Sequence, residues 1–133
     1  MSSNKKQGTQ FEKRLAKLYA EQGWWVHLIE PGPDGSQPAD LIIVKNQVGR
    51  LIDAKVLTNK TGRFPFSRIE ENQKLTYKRW AECGNMNYAY MIAILWNNNV
   101  YEIPYCNIEN LEGAHGEKSI NIEGWLRFEN IDR

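Results

Sequence analysis

Apolar residues recur along this chain in two distinct periods. Phe11, Leu15, Leu18 and Tyr19 are spaced four, three and one apart, one apolar stripe on a helix that Gly8 and Thr9 open and that ends near Gly23. From Trp24 to Glu30 the chain turns to β-branched and aromatic residues, which predicts a strand. Residues 31–38 read PGPDGSQP and make a loop. Asp40–Lys45 predicts a second strand, 46–49 a tight turn and Arg50–Leu57 a third strand, so that the last two form a hairpin. A polar, basic loop follows from Thr58 to Ser67. Glu70–Cys83 predicts a second helix, with Gly84 as its stop. Tyr88–Trp96 is a long buried strand, and Asn97–Asn99 turns into a short one, Val100–Ile103. From Pro104 onward the chain reads as irregular, with one more short strand near Trp125–Phe128. The order α-β-β-β-α-β-β predicts an α/β fold, a mixed central β-sheet flanked by helices. One domain spans 1–133, with a flexible N-terminus (1–7) and an acidic C-terminal segment (105–133).

The third strand carries the most chemistry. Alternation puts Leu51, Asp53, Lys55 and Leu57 on one face and Ile52, Ala54 and Val56 on the other. Apolar residues on both faces predict a central, covered strand. Asp is disfavoured in strand interiors, and a covered Asp–Lys pair costs stability unless something compensates. A salt bridge at a sheet edge is the plainer alternative. The hairpin brings Asp40 near the middle of this strand, so two carboxylates converge beside a lysine. Hard divalent cations such as Mg²⁺ take oxygen ligands of this kind and retain waters. A lysine beside such a water positions it for attack on phosphorus. Taken alone, Asp40 is equally a turn residue closing its loop. Glu12 also has a structural explanation: Thr9-Gln10-Phe11-Glu12 fits a capping box. It sits, however, at the border of the buried stripe, where it could face a cleft.

Composition changes this picture little, but charge distribution changes it more. The 133 residues are 41% hydrophobic and 25% charged, with a net charge of +1, ordinary for a folded domain. Residues 1–80 hold 14 Lys/Arg against 8 Asp/Glu, and residues 81–133 hold 3 against 8. A basic half grips phosphates even in a neutral protein, because binding follows the local field. Cys83 and Cys106 sit in no metal-ligand spacing; two buried free thiols in a reducing compartment is a simpler reading than a disulfide. His27 and His115 lie far apart with no cysteine nearby, which argues against zinc. No apolar run is long enough to span a bilayer and no secretory signal opens the chain, so a cytoplasmic location is expected, with no membrane partner. Trp24, Trp25, Trp80 and Trp96 are expected in the core rather than as base-stacking platforms.

Pro38-Ala39-Asp40 followed by Asp53-Ala54-Lys55 resembles the core motif of PD-(D/E)xK nucleases, the restriction-endonuclease-like fold. Gly8-Thr9-Gln10-Phe11-Glu12 resembles the start of RecU-type Holliday junction resolvases, and Gly49–Lys55 is similar to their third strand. Thr58–Thr61, Phe64-Pro65-Phe66 and Gln73 are similar to the stretch leading into their second helix. The likeness runs over residues 8–104 and extends more loosely to the archaeal junction resolvases. It implies a Mg²⁺-dependent endonuclease, with Mn²⁺ as substitute and no small-molecule cofactor, acting as a homodimer on branched DNA in a bacterial or phage-infected cell. Glu12, Asp40, Asp53 and the Ala54 carbonyl would ligate metal and Lys55 would serve the attacking water. Gln73 would lie beside them, although by itself it reads as an exposed helical residue. Lys5, Lys6, Lys13, Arg14, Lys60, Arg63, Arg68, Lys74 and Lys78, with Lys17 and Arg79 nearby, would follow the DNA backbone. Two departures stand out. Asp53 replaces the family's usual Glu, and the Glu30-to-Asp40 connection is short where larger members engage the branch point. Phage-encoded relatives are often this compact.

Overall fold

The computed structural model describes residues 4–34, 37–125 and 127–130, and of residues 4–6, 87 and 127–130 only the backbone. Its elements in chain order are α1 (Asn4–Glu21), β1 (Trp25–Leu28), β2 (Leu41–Lys45), β3 (Val48–Val56), β4 (Arg63–Pro65), α2 (Glu71–Glu82), β5 (Tyr90–Trp96), β6 (Asn99–Pro104), α3 (Tyr105–His115), β7 (Ser119–Asn121) and β8 (Arg127–Asn130). Six strands form one sheet in the order β1-β2-β3-β5-β6-β8, and β4 pairs with β7 in a separate ribbon. Among the described strands only β3 and β5 run parallel, and α2 lies in the connection between them; the other pairs are antiparallel. The mixed α/β architecture expected from the sequence is therefore the observed one.

Two apolar layers sandwich the sheet. On one face Phe11, Leu15 and Tyr19 of α1 pack against Leu41, Ile43, Ile52, Ala93 and Val100. On the other, Tyr77 of α2 and Tyr105 and Ile108 of α3 pack against Leu51, Leu57, Tyr90, Ile92 and Ile103. Burying one such aliphatic side chain contributes about 2 kcal/mol, so the helices are held by their stripes and not by propensity. β3 lies third of six, and its neighbours in sequence alternate between the layers as the pattern requires.

Hairpin turns fall where asparagines permit left-handed backbone. Asn46 and Gln47 join β2 to β3 with φ of 50° and 69°, and Asn97 and Asn98 join β5 to β6 with 53° and 62°, the signature of two-residue type I′ loops.

Several expectations are corrected. Helix α1 begins at Asn4, so residues 4–7 are helical and Thr9 lies inside the helix; Thr9 and Glu12 form no capping box. The capping box belongs to α2, where the Glu70 side chain accepts from the Gln73 N–H and the Gln73 side chain from the Glu70 N–H. The segment after Pro104 is not irregular: it forms α3, ended by Gly116 at φ 65°, then β7 and β8. Its stripe of Tyr105, Ile108 and Leu111 is short, and no side chain caps its start. Part of the Thr58–Ser67 loop is β4, fixed by pairing with distant β7. Both cysteines are free, but Cys83 is exposed rather than buried. Trp24, Trp80 and Trp96 pack on the core, whereas Trp25 is 61% exposed, stacked on His27 at the sheet edge. Among the described residues no helix is long and apolar enough to cross a membrane.

Candidate active site

At one end of the sheet the chain gathers its acidic residues. Asp40 immediately precedes β2, and its N–H donates to the Ile52 carbonyl at 2.9 Å. Its side chain turns across the hairpin, so that Oδ2 accepts the Ala54 N–H at 2.7 Å. That short charge-assisted bond fixes the carboxylate against β3. Ala54, whose carbonyl the family resemblance offers as a ligand, thus has a second role through its N–H. Asp53 is fully buried. Its Oδ1 accepts from Gln73 Nε2 at 2.8 Å, while Oδ2 has no hydrogen-bond partner and lies 3.5 Å from Lys55 Nζ. Lys55 Nζ also donates to Gln73 Oε1 at 3.3 Å. Gln73 therefore touches both members of the Asp–Lys pair and caps its own helix.

Glu12 approaches from α1 on the opposite side of the sheet. Once α1 begins well upstream, its carboxyl has no capping duty, and it reaches Asp40. Burial, then the hydrogen bond and the charge of Asp40, push Glu12 up to about 7. Burial also pushes Asp53 well above the usual carboxylate range; the Lys55 ammonium pulls against this, and Asp40 pushes with it. Asp40 stands between Glu12 and Asp53 in an acidic row, and its charge acts on both. In this half-dry site Glu12 and Asp53 each favour holding a proton.

The donor set tests what such a site would hold. It contains carboxylate oxygens and no sulfur or imidazole, which suits a hard divalent cation over zinc. Among the described residues no group of three or more His, Cys, Asp and Glu is placed to hold a metal ion. Mg²⁺ does not call for one, since it binds through one or two carboxylates and keeps its remaining positions for water and phosphate. Asp53 Oδ2, buried and without a hydrogen bond among the described residues though 3.5 Å from the Lys55 ammonium, is the oxygen such a cation would satisfy. The residues present fit the ion.

Two clefts flank this row. One, of about 390 Å³, is lined by Gln7, Gly8, Ala54, Lys55, Val56, Thr58 and Arg68. The other, of about 480 Å³, is lined by Gly8, Thr9, Glu12, Lys13, Gln37 and residues 28–31. Arg68 is anchored by Nη1 to the Val56 carbonyl at 2.7 Å, and its guanidinium lies 5.9 Å from the Phe64 ring centre. Lys13, Arg14, Lys17, Lys60, Arg63, Lys78 and Arg79 are exposed, and of these only Lys13 lines either cleft. Lys74 is half-buried and pairs with Glu71 at 3.5 Å. The side chains of Lys5 and Lys6 lie outside the described residues.

The fold thus brings together Glu12, Asp40, Asp53, Lys55 and Gln73, and leaves most of the basic residues exposed outside the two clefts. Two neighbours went unread in the sequence. Gln37 Nε2 donates to Asp40 Oδ1 at 3.2 Å, and Asn72 Nδ2 donates to the Gln37 carbonyl at 2.8 Å. The loop that carries Gln37 gave no sign of which side chain would turn inward.

No protein-family model and no curated protein matches the sequence. Among solved structures the chain is similar to Hjc, a Holliday junction resolvase from the archaeal hyperthermophile Archaeoglobus fulgidus. The TM-score is 0.61 at 14% identity, over 92% of this chain and 94% of that one. What the two share is the fold, a mixed sheet flanked by helices.

Proposed function

We propose that this protein is a Mg²⁺-dependent, structure-specific DNA endonuclease that resolves four-way junctions by hydrolysing phosphodiester bonds. The observation that carries the reading is the convergence of Glu12, Asp40 and Asp53 with Lys55 and Gln73 between two clefts. The fold similarity to an archaeal resolvase supports the junction as substrate, and the sequence motifs favour the RecU type and a compact phage-encoded form. Mn²⁺ is expected to substitute for Mg²⁺, and a homodimer would place two such sites for paired nicks.

Within this reading Glu12, Asp40, Asp53 and the Ala54 carbonyl would hold the cation. A bound Mg²⁺ would stabilise charge that develops on the phosphate. Lys55 Nζ, held by Gln73 and Asp53, orients the attacking water and offers a donor to a phosphate oxygen. Water oxygen bonds to phosphorus, the phosphorus–oxygen bond to the leaving strand breaks, the water proton departs through the carboxylate row and the leaving oxygen takes a proton from solvent. Lys13 and Arg68, one on each cleft, fit the phosphates either side of the cut.

The test is cleavage of a labelled synthetic four-way junction beside linear duplex and flap substrates, in Mg²⁺ and in EDTA, with Asp53→Asn as control. Paired nicks confined to the junction, dependent on Mg²⁺ and lost in the variant, are expected. Cutting of every substrate would keep the nuclease and discard the junction role. Tight binding without cutting would make the chain a non-catalytic DNA-binding module.

A further inference from the structure

The segment that delivers Asp40 is not part of any strand, yet each of its carbonyls receives a donor. The Gln37 carbonyl accepts from Asn72 Nδ2 at 2.8 Å, and the Pro38 carbonyl from the Tyr90 hydroxyl at 2.9 Å. The Ala39 carbonyl accepts from Gln37 Nε2 at 3.2 Å, and the Asp40 carbonyl from the Ile29 N–H at 2.9 Å. Three of the four donors are side chains, so the pinning comes from specific residues and not from a sheet ladder. The Gln37 amide lies within reach of three acceptors: Asp40 Oδ1 at 3.2 Å, the Ile29 carbonyl at 3.1 Å and the Ala39 carbonyl. With two hydrogens it shares them, and so ties both ends of the 29–40 connection to the carboxylate.

Two of the four donors, Asn72 and Tyr90, come from the elements that hold the other half of the site. Asn72 precedes Gln73 in the first turn of α2, and Gln73 grips Asp53 and Lys55. Tyr90 opens β5, which pairs with β3. Its hydroxyl is pushed upward by burial and by the nearby Asp53 and Asp40 charges, and stays a donor.

We propose that Asn72 and Gln37 form a latch that positions Asp40, so that the first turn of α2 sets the separation between the Asp40 arm and the Asp53–Lys55 arm of the site. Both are positioning residues: neither lies among the acidic row, and each acts through Asp40. Glycine and proline crowd the 31–38 connection; without the latch it would lose the four hydrogen-bond contacts that tie its end to α2 and to itself. Outer bonds of this kind typically change cation affinity 10- to 100-fold when removed. The expected loss of cation affinity rests on the reading of Asp40 as a ligand, whereas the positioning itself does not.

The Ala54 N–H reports Asp40 directly, because its partner is Asp40 Oδ2. Amide hydrogen exchange by NMR is therefore measured in EDTA on the wild-type chain and on Asn72→Ala, Gln37→Ala and Asn72→Asp. The Asp variant keeps the shape and favours the helix N-terminus, so it folds even if the Ala variants do not. Ala54 exchange is expected to rise at least tenfold in every folded variant while Ile52 stays protected. Mn²⁺ affinity, read by electron paramagnetic resonance, is expected to fall at least tenfold in Gln37→Ala, and kcat to fall with KM for the junction unchanged. Ala54 protection equal to wild type in Asn72→Asp would overturn the latch. Wild-type protein that binds no Mn²⁺ would instead overturn the cation site, and the Ala54 measurement would still decide the latch.

Discussion

The Gln73 side-chain amide donates to Asp53 Oδ1 at 2.8 Å, while its oxygen serves both Lys55 Nζ and the Glu70 N–H. One buried amide thus closes the α2 cap and orients the Asp–Lys pair. Gln73→Ala leaves the Glu70 N–H and Asp53 Oδ1 without this partner and should destabilise by about 2 kcal/mol. Gln73→Glu keeps the acceptor for the cap and for Lys55 but sets a second carboxylate oxygen against Asp53. It should retain most of the stability and lose cleavage at least tenfold. Thermal unfolding and single-turnover cleavage separate the two effects; a Glu variant that cuts as fast as wild type would show that the donor to Asp53 is dispensable.

Lys55 is the test of chemistry against architecture. Lys55→Ala should lower the cleavage rate about 10³-fold, within the range for a lost proton-transfer or water-orienting group. Junction binding should stay within a few-fold, since the basic residues proposed to meet phosphates lie elsewhere. The fold should survive as well: without the ammonium, Asp53 is raised further and takes a proton rather than standing as a bare buried charge. A variant that loses binding together with its circular-dichroism spectrum would mark Lys55 as structural.

How much of this was legible before the fold is itself a physical question. Strand β3 was legible because alternation with apolar residues on both sides makes a central strand, and Asp53 and Lys55 are conspicuous within it. The capping alternative for Glu12 fails: Thr9-Gln10-Phe11-Glu12 matches a cap, but caps depend on where a helix begins, and residues 4–7 are polar enough to hide an extra turn. The cap at Glu70 and Gln73 was missed for the converse reason, because Glu is not among the favoured cap residues. Helix α3 and strand β4 rest on contacts distant in sequence, Tyr105 with Tyr77 and Tyr90 and Arg63–Pro65 with Ser119–Asn121, which local pattern does not carry. The exposure of Trp25 follows from β1 being an edge strand, a property of strand order and not of composition.

Glu12 makes stability depend on pH in a definite direction. Its carboxyl titrates at about 7 in the folded chain against an ordinary 4.5, so the folded state holds the proton more tightly than the unfolded one. The metal-free protein should lose stability as pH rises from about 4.5 to about 7. Half-burial and solvent screening reduce the effect to about 1 kcal/mol. Glu12→Gln should therefore unfold like wild type at pH 5 and about 1 kcal/mol less readily at pH 8, both in EDTA. Saturating Mg²⁺ should shrink or reverse that gain, because a ligand that binds only the native site stabilises it by mass action. A Gln variant less stable than wild type at pH 8 without metal would contradict the strained carboxyl.

Gly8 lies on α1 and lines both clefts, and a methyl group added there would meet nothing within 4 Å. Glycine inside a helix costs about 0.8–1 kcal/mol relative to alanine, so Gly8→Ala should stabilise the chain by nearly that amount with cleavage intact. The unfilled space is explained if a DNA strand crosses α1 here on its way between Lys13 and Arg68. A large side chain then obstructs the path without disturbing the core. Gly8→Phe should fold normally, keep its affinity for Mn²⁺, and bind a labelled junction at least tenfold more weakly in an electrophoretic mobility assay. Unchanged binding by the Phe variant would mean that the strand does not pass over Gly8, and that the two clefts serve different segments of the substrate.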